Sequence, residues 1–183
     1  MKRIFMIGTV ALSCLLLVIV GQEAAQVPSA REVVTPAAYA SFDPVARGHE
    51  FQLAVVLNIR KGYHINARKP TLEYLIPTDL KLEMPAGLQA GEVSYPQGKL
   101  RTFAFSKSEP LNVYEGTAIL RVPVHVAADA PTGEQTIPLK LRYQACSQEV
   151  CLPPVTLNLA AKVNVAAQAS AAKPAHPEVF ANH

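Results

Sequence analysis

Cys146 and Cys151 bracket Ser147-Gln148-Glu149-Val150, and no other residues in the chain offer chemistry as plainly. The remaining thiol, Cys14, lies inside an N-terminal apolar run. A bridge between Cys146 and Cys151 closes a small ring. Its chain-entropy contribution is about 2 kcal/mol, against roughly 4 to 5 for a long loop. Three uses fit such a pair. A structural disulfide would clip a hairpin, and a redox couple would exchange with a partner through a mixed disulfide. A metal site would need further ligands, and no C-x-x-C or His-x-His motif accompanies the pair. Spacing alone favours the clip over the couple and puts metal last. Glu149, inside the loop, disfavours a neighbouring thiolate by like-charge repulsion.

The elements around the pair read as short strands. His49 to Arg60 alternates Phe51, Leu53, Val55, Leu57 and Ile59 on one face, and Lys61-Gly62 marks a turn into Tyr63 to Asn66. Leu72 to Ile76, Leu80 to Met84, Val93 to Tyr95 and Leu100 to Phe105 are further strand candidates. Val113 to Val126 reads as the longest strand. Gln135 to Ala145 carries Ile137, Leu139, Leu141 and Tyr143 on one face, and Val155 to Val165 closes the series. Fifteen prolines, no tryptophan and no convincing helix agree with this pattern. The expected fold is all-β, an immunoglobulin-like antiparallel β-sandwich, with a small barrel as the alternative. Cys146 then ends one strand and Cys151 begins the next.

Lys2-Arg3 followed by the apolar stretch Ile4 to Val20 reads as an export signal or an uncleaved anchor. Export places the body in the periplasm or another extracytoplasmic space, where disulfides persist. Membrane association is expected only if that segment is retained. Setting aside Lys2 and Arg3, the 17 Lys and Arg fall to 15 against 14 Asp and Glu, so no nucleic-acid partner is indicated. The expected organisation is 1–22 signal or anchor, 23–41 linker, 42–165 domain, and 166–183 a flexible Ala/Pro-rich tail.

Six segments occur in one order: Gly62-Tyr63-His64-Ile65-Asn66, Leu75-Ile76-Pro77-Thr78, Ser94-Tyr95-Pro96, Phe103-Ala104-Phe105, Val113-Tyr114-Glu115-Gly116, and Tyr143-Gln144-Ala145-Cys146 through Cys151-Leu152-Pro153-Pro154. Together they resemble the N-terminal periplasmic domain of the thiol:disulfide interchange protein DsbD, over roughly residues 42 to 165. The resemblance implies an immunoglobulin-like fold and a redox-active Cys146–Cys151 disulfide, without cofactor or metal. It makes Cys151 the sulfur that forms the mixed disulfide and Cys146 the one that resolves it. It implies an aromatic cap from the stretch around Thr102 to Ser108, with Phe103 or Phe105 as the cap. Tyr63, His64 and Asn66 fall where the family places side chains near the cysteines, although an ordinary strand histidine also accounts for His64. The implied partners are thioredoxin-fold periplasmic proteins. The family's membrane and thioredoxin-like domains are not found before His183, so a separately encoded membrane electron transporter is the expected source of electrons. The cysteine spacing is one residue shorter than in the best-known members. The competing reading is an exported binding or scaffold module with a purely structural disulfide.

Overall fold

In a computed structural model, described for residues 27–181, the expected alternation becomes three small sheets. Cys14 and the segment expected to direct export lie outside the described residues. Among the described residues, no helix is long and apolar enough to cross a membrane.

A single turn of helix, α1 (Ala30–Val33), leads into β1 (Val34–Ala40), β2 (Val45–Ala46), β3 (Glu50–Ile59), β4 (His64–Asn66), β5 (Asp79–Leu82) and β6 (Leu88–Ala90). There follow β7 (Lys99–Phe103), β8 (Ser106–Tyr114), β9 (Thr117–Val126), β10 (Gly133–Tyr143), β11 (Ala145–Cys146) and β12 (Val155–Ala166). A 3-10 turn (Ala169–Ala171) and the short α2 (Pro177–Phe180) end the described chain. The strand orders are β1-β3-β9-β6, β2-β12-β10-β5 and β11-β4-β8-β7. Pairing is antiparallel throughout except for β2 with β12. This is the immunoglobulin-like sandwich expected from the alternation, with open sheets instead of a closed barrel.

Period-two patterning places the core as expected. Phe51, Leu53, Val55, Leu57 and Ile59 from β3 are buried, as are Leu120, Val122 and Val124 from β9 and Ile137, Leu139, Leu141 and Tyr143 from β10. Strand side chains alternate between faces, so each run commits one face to the interior.

The structure departs from the sequence reading in five places. The run 113–126 is not one strand, because Glu115-Gly116 turns the chain between β8 and β9, with Gly116 at φ 68. A left-handed φ suits glycine, and Tyr114 stays in phase with the buried Ala118 and Leu120 across the turn, which hides the break. Residues 72–76 form a turn closed by Leu75 N–H to Leu72 O at 3.1 Å. Near 93–95 only Ser94 bridges to Arg121. Finally, the supposed linker contains β1, paired along β3 from Val34↔Ile59 to Ala40↔Leu53. Its Ala/Pro composition resembles a linker, but β1 is an edge strand, where Pro36 is tolerated. Val33 and Val34 are buried beside it, and Tyr143 Oη donates to Ala30 O at 2.7 Å. The supposed tail also folds back. Pro174 bridges Phe42, Ala175 N–H donates to Ser41 O at 2.9 Å, and Val179 is buried.

Candidate functional site

Cys146 and Cys151 are antiparallel bridge partners as well as a disulfide. Leu152 N–H donates to Ala145 O and Ser147 N–H donates to Val150 O, each at 2.8 Å. These bonds flank the pair on both sides and leave the two cysteines directly opposed without exchanging bonds, the position of closest approach in an antiparallel ladder. Their Cα atoms are 3.9 Å apart and their sulfurs 2.03 Å. Ser147 Oγ accepts the amides of Glu149 and Val150 at 3.2 Å, so the loop between the cysteines is closed by its own hydrogen bonds. The two cysteines differ in exposure. Cys146 is 0% exposed, whereas Cys151 reaches the surface in part.

The third sheet positions them. Its register pairs Cys146 with His64 and Ala145 with Ile65, then Ile65 with Tyr114 and Asn66 with Val113. Alternation therefore assigns Ile65, Ala145 and Tyr114 to the main core. Cys146, His64, Asn66 and Val113 take the opposite face. Leu75, Phe103, Leu111 and Val113 form a separate small apolar cluster on that side. Tyr63, one residue out of phase with His64, packs instead against the main core. It borders a groove of about 390 Å³ that also includes His64, Glu115 and Gln148 from the cysteine loop.

Phe103 ends β7 and Phe105 lies in the turn into β8, where Phe103 pairs with Ser106 after a register shift. Phe103 is 2% exposed, and its ring stacks on His64 at 3.9 Å with 16° between the planes. Phe105 is 42% exposed and lies 5.5 Å from Phe103, nearly parallel to it. Cys146, His64, Phe103 and Phe105 thus form a series running from the buried sulfur's strand neighbour to the surface.

His64 is 2% exposed, and its Nε2 has no hydrogen-bond partner among the described residues. Burial lowers its pKa to about 4 against a weaker opposing pull from Glu115, so the imidazole is neutral at pH 7. Asn66 is fully buried. Its Nδ2 donates to Ile76 O at 3.0 Å and to Gln144 Oε1 at 3.3 Å. Gln144 also accepts Ile76 N–H and donates to Leu152 O, each at 3.4 Å. Thr78 Oγ1 donates to Asn66 O at 2.6 Å. Gln144 therefore ties both flanks of the cysteine loop to β4 and to the segment before β5. Sequence reasoning gave Gln144 no role, although it stands next to Ala145-Cys146; a side chain's partners across 78 positions leave no local signature.

A larger cleft of about 630 Å³, lined in part by Arg68, Asp79, Tyr95 and Tyr114, lies toward Tyr114's side of the sheet, away from the cysteines. Among the described residues, no three His, Cys, Asp or Glu side chains gather as metal ligands.

A protein-family model described as thiol:disulfide interchange protein DsbD, N-terminal, matches residues 30–162. Among solved structures, the reduced DsbD N-terminal domain of Neisseria meningitidis is 23% identical. That match covers 73% of this chain and 88% of that one, with a TM-score of 0.46. The N-terminal periplasmic domain of ScsB from Proteus mirabilis is 12% identical, covering 73% and 47%, with a TM-score of 0.49. A complex of the DsbD and PilB N-terminal domains from Neisseria meningitidis matches at 21% identity, covering 68% and 81%, with a TM-score of 0.42. No curated protein matches the chain.

Proposed function

The chain belongs to the family of N-terminal domains of the thiol:disulfide interchange protein DsbD, and from that premise we propose that Cys146 and Cys151 are its exchange pair. The observation that carries the assignment of roles is the unequal exposure of the two cysteines. Cys151 is the one a partner reaches, and Cys146 the one held beneath it.

In the oxidised form, a partner thiolate attacks Cys151 Sγ. The partner–Cys151 bond forms, the Cys146–Cys151 bond breaks, and the electron pair leaves on Cys146. A second partner thiol then resolves the mixed disulfide, so the partner leaves oxidised and both cysteines are thiols. The same steps in reverse pass the electrons to a protein disulfide. Two sulfurs and exchangeable protons suffice, so no cofactor enters the scheme. The partners are thioredoxin-fold proteins of the periplasm, and a membrane electron transporter is the ultimate source of the electrons. Phe103 and Phe105 form the cap: Phe103 as the buried stacking ring, Phe105 as the outer ring a docking partner meets first. His64 and Asn66 share the face of Cys146, whereas Tyr63 turns toward the main core and borders the groove beside the cysteine loop.

Trapping tests this. With Cys146→Ala, a thioredoxin-fold partner should accumulate as a covalent adduct through Cys151, visible on a non-reducing gel and released by dithiothreitol. Cys151→Ala should give little adduct. No adduct from either variant, with a native bridge that mild dithiols cannot open, would establish a purely structural clip instead.

A further inference from the structure

His64 carries a fully buried ring nitrogen that, among the described residues of the oxidised protein, has no hydrogen-bond partner. Such an atom loses its hydration and receives nothing in exchange, and native structures contain few of them. Its position suggests where the missing partner comes from. His64 and Cys146 are directly opposed across β4 and β11, and opposed residues project their side chains from the same face of a sheet. Both are buried there, with Phe103 stacked on the imidazole. In the disulfide, Cys146 Sγ has no proton to offer. Reduction changes this: a partner dithiol supplies two electrons and two protons and leaves as its own disulfide. The S–S bond breaks, and Cys146 acquires an S–H, a weak but real donor.

We propose that His64 is a positioning residue specific to the reduced state, its Nε2 accepting a hydrogen bond from Cys146 Sγ–H and holding that thiol beneath Phe103. This rests on reading Cys146–Cys151 as an exchange pair. It goes further in making the open form of the site the better-satisfied one. The bond requires the Nδ1–H tautomer of a neutral imidazole. The charged groups around the ring are Glu115, whose carboxylate is held by Arg101 Nε at 2.9 Å, and Arg60 and Lys61, which share the groove with His64. An interaction present only in the reduced form shifts the pair toward reduction. Its removal shifts the pair toward the disulfide.

The test compares wild type, His64→Phe and His64→Gln in equilibrium with dithiothreitol. Phenylalanine keeps an aromatic ring for the stack and removes the nitrogen; glutamine restores a polar atom near the Nε2 position. The equilibrium constant for reduction should fall about three- to tenfold in H64F, tenfold being 29.6 mV for this couple. In H64Q it should stay within about twofold of wild type. A second measurement needs no variant. In imidazole nitrogen–proton correlation spectra of the full wild-type chain, reduction should shift the His64 Nε2 resonance in the direction of an accepted hydrogen bond. The signals of His49, His125 and His176 should stay in place. An unchanged or larger equilibrium constant in H64F, or an Nε2 resonance indifferent to reduction, overturns the proposal. Failure of the exchange reading would look different: no adduct in the trapping experiment and a wild-type bridge that dithiothreitol does not open.

Discussion

Two phenylalanines two positions apart differ sharply in their surroundings, and the difference separates structure from access. Phe103 is buried against Leu75, Leu111 and Val113, so Phe103→Ala should cost about 3–5 kcal/mol, read as a lower denaturation midpoint. Phe105 is 42% exposed, and Phe105→Ala should stay within about 0.5 kcal/mol. If the two rings act as the cap, both substitutions should also speed reduction of the bridge by glutathione, because a lid limits attack by unselected thiols. A bridge equally slow to reduce in wild type and both variants would remove the cap from the scheme.

His64 gives a pH signature at the same scale. Its folded pKa, lowered by burial to about 4, lies below the ordinary value of 6.5. Between those values the unfolded chain binds the proton and the folded one does not, so stability rises with pH across that window. The stability His64 retains is therefore complete above about pH 6.5 and is lost progressively as pH falls toward 4. The denaturation midpoint of the oxidised protein should drop over this range, and the drop should shrink in His64→Phe. An identical pH profile in the variant would show that the imidazole is not buried in its neutral form.

At the scale of elements, the third sheet holds the site because both of its faces are occupied. Ile65, Ala145 and Tyr114 anchor it to the main core, which leaves the opposite face for Cys146, His64 and Phe103. Gln144 fastens this arrangement from the strand edge. Gln144→Ala removes the side-chain acceptor of Ile76 N–H and one partner of the buried Asn66 amide. The expected loss is about 1–3 kcal/mol, the usual cost of stranding buried polar groups, measured by denaturant unfolding of the oxidised protein. Exchange in such a variant should also be less selective, since Gln144 Nε2 holds Leu152 beside Cys151. A loss below about 0.5 kcal/mol would mean that water replaces the glutamine.

At the scale of the whole molecule, the two ends of the described chain behave as parts of the domain. Residues beyond β12 return across the first sheet, where Asp43 N–H donates to Lys173 O at 2.9 Å and Arg121 Nη2 donates to Val179 O at 2.8 Å. Deleting 167–183 should lower stability by about 1–3 kcal/mol through loss of Val179 burial and these bonds. Thermal unfolding would measure this, and the rate of bridge reduction should stay unchanged. An unaltered melting temperature would restore the reading of that segment as a tail.

The chain's own order of residues determined β3, β9 and β10 and their inward faces, because period-two alternation is a local pattern that survives without knowledge of neighbours. It also determined the cysteine hairpin, whose partners lie five positions apart and meet through a loop bonded to itself. Tertiary structure alone decided which strand lies beside which. A hydrophobic period specifies a face but no neighbour. Hence the stack of His64 on Phe103, the reach of Gln144 to Asn66, and the pairing of the Ala/Pro-rich β1 became visible only once the sheets were assembled. The burial of Cys146 beside a partially exposed Cys151 belongs to the same class. It arises from what covers each sulfur, and the covering residues come from distant parts of the chain.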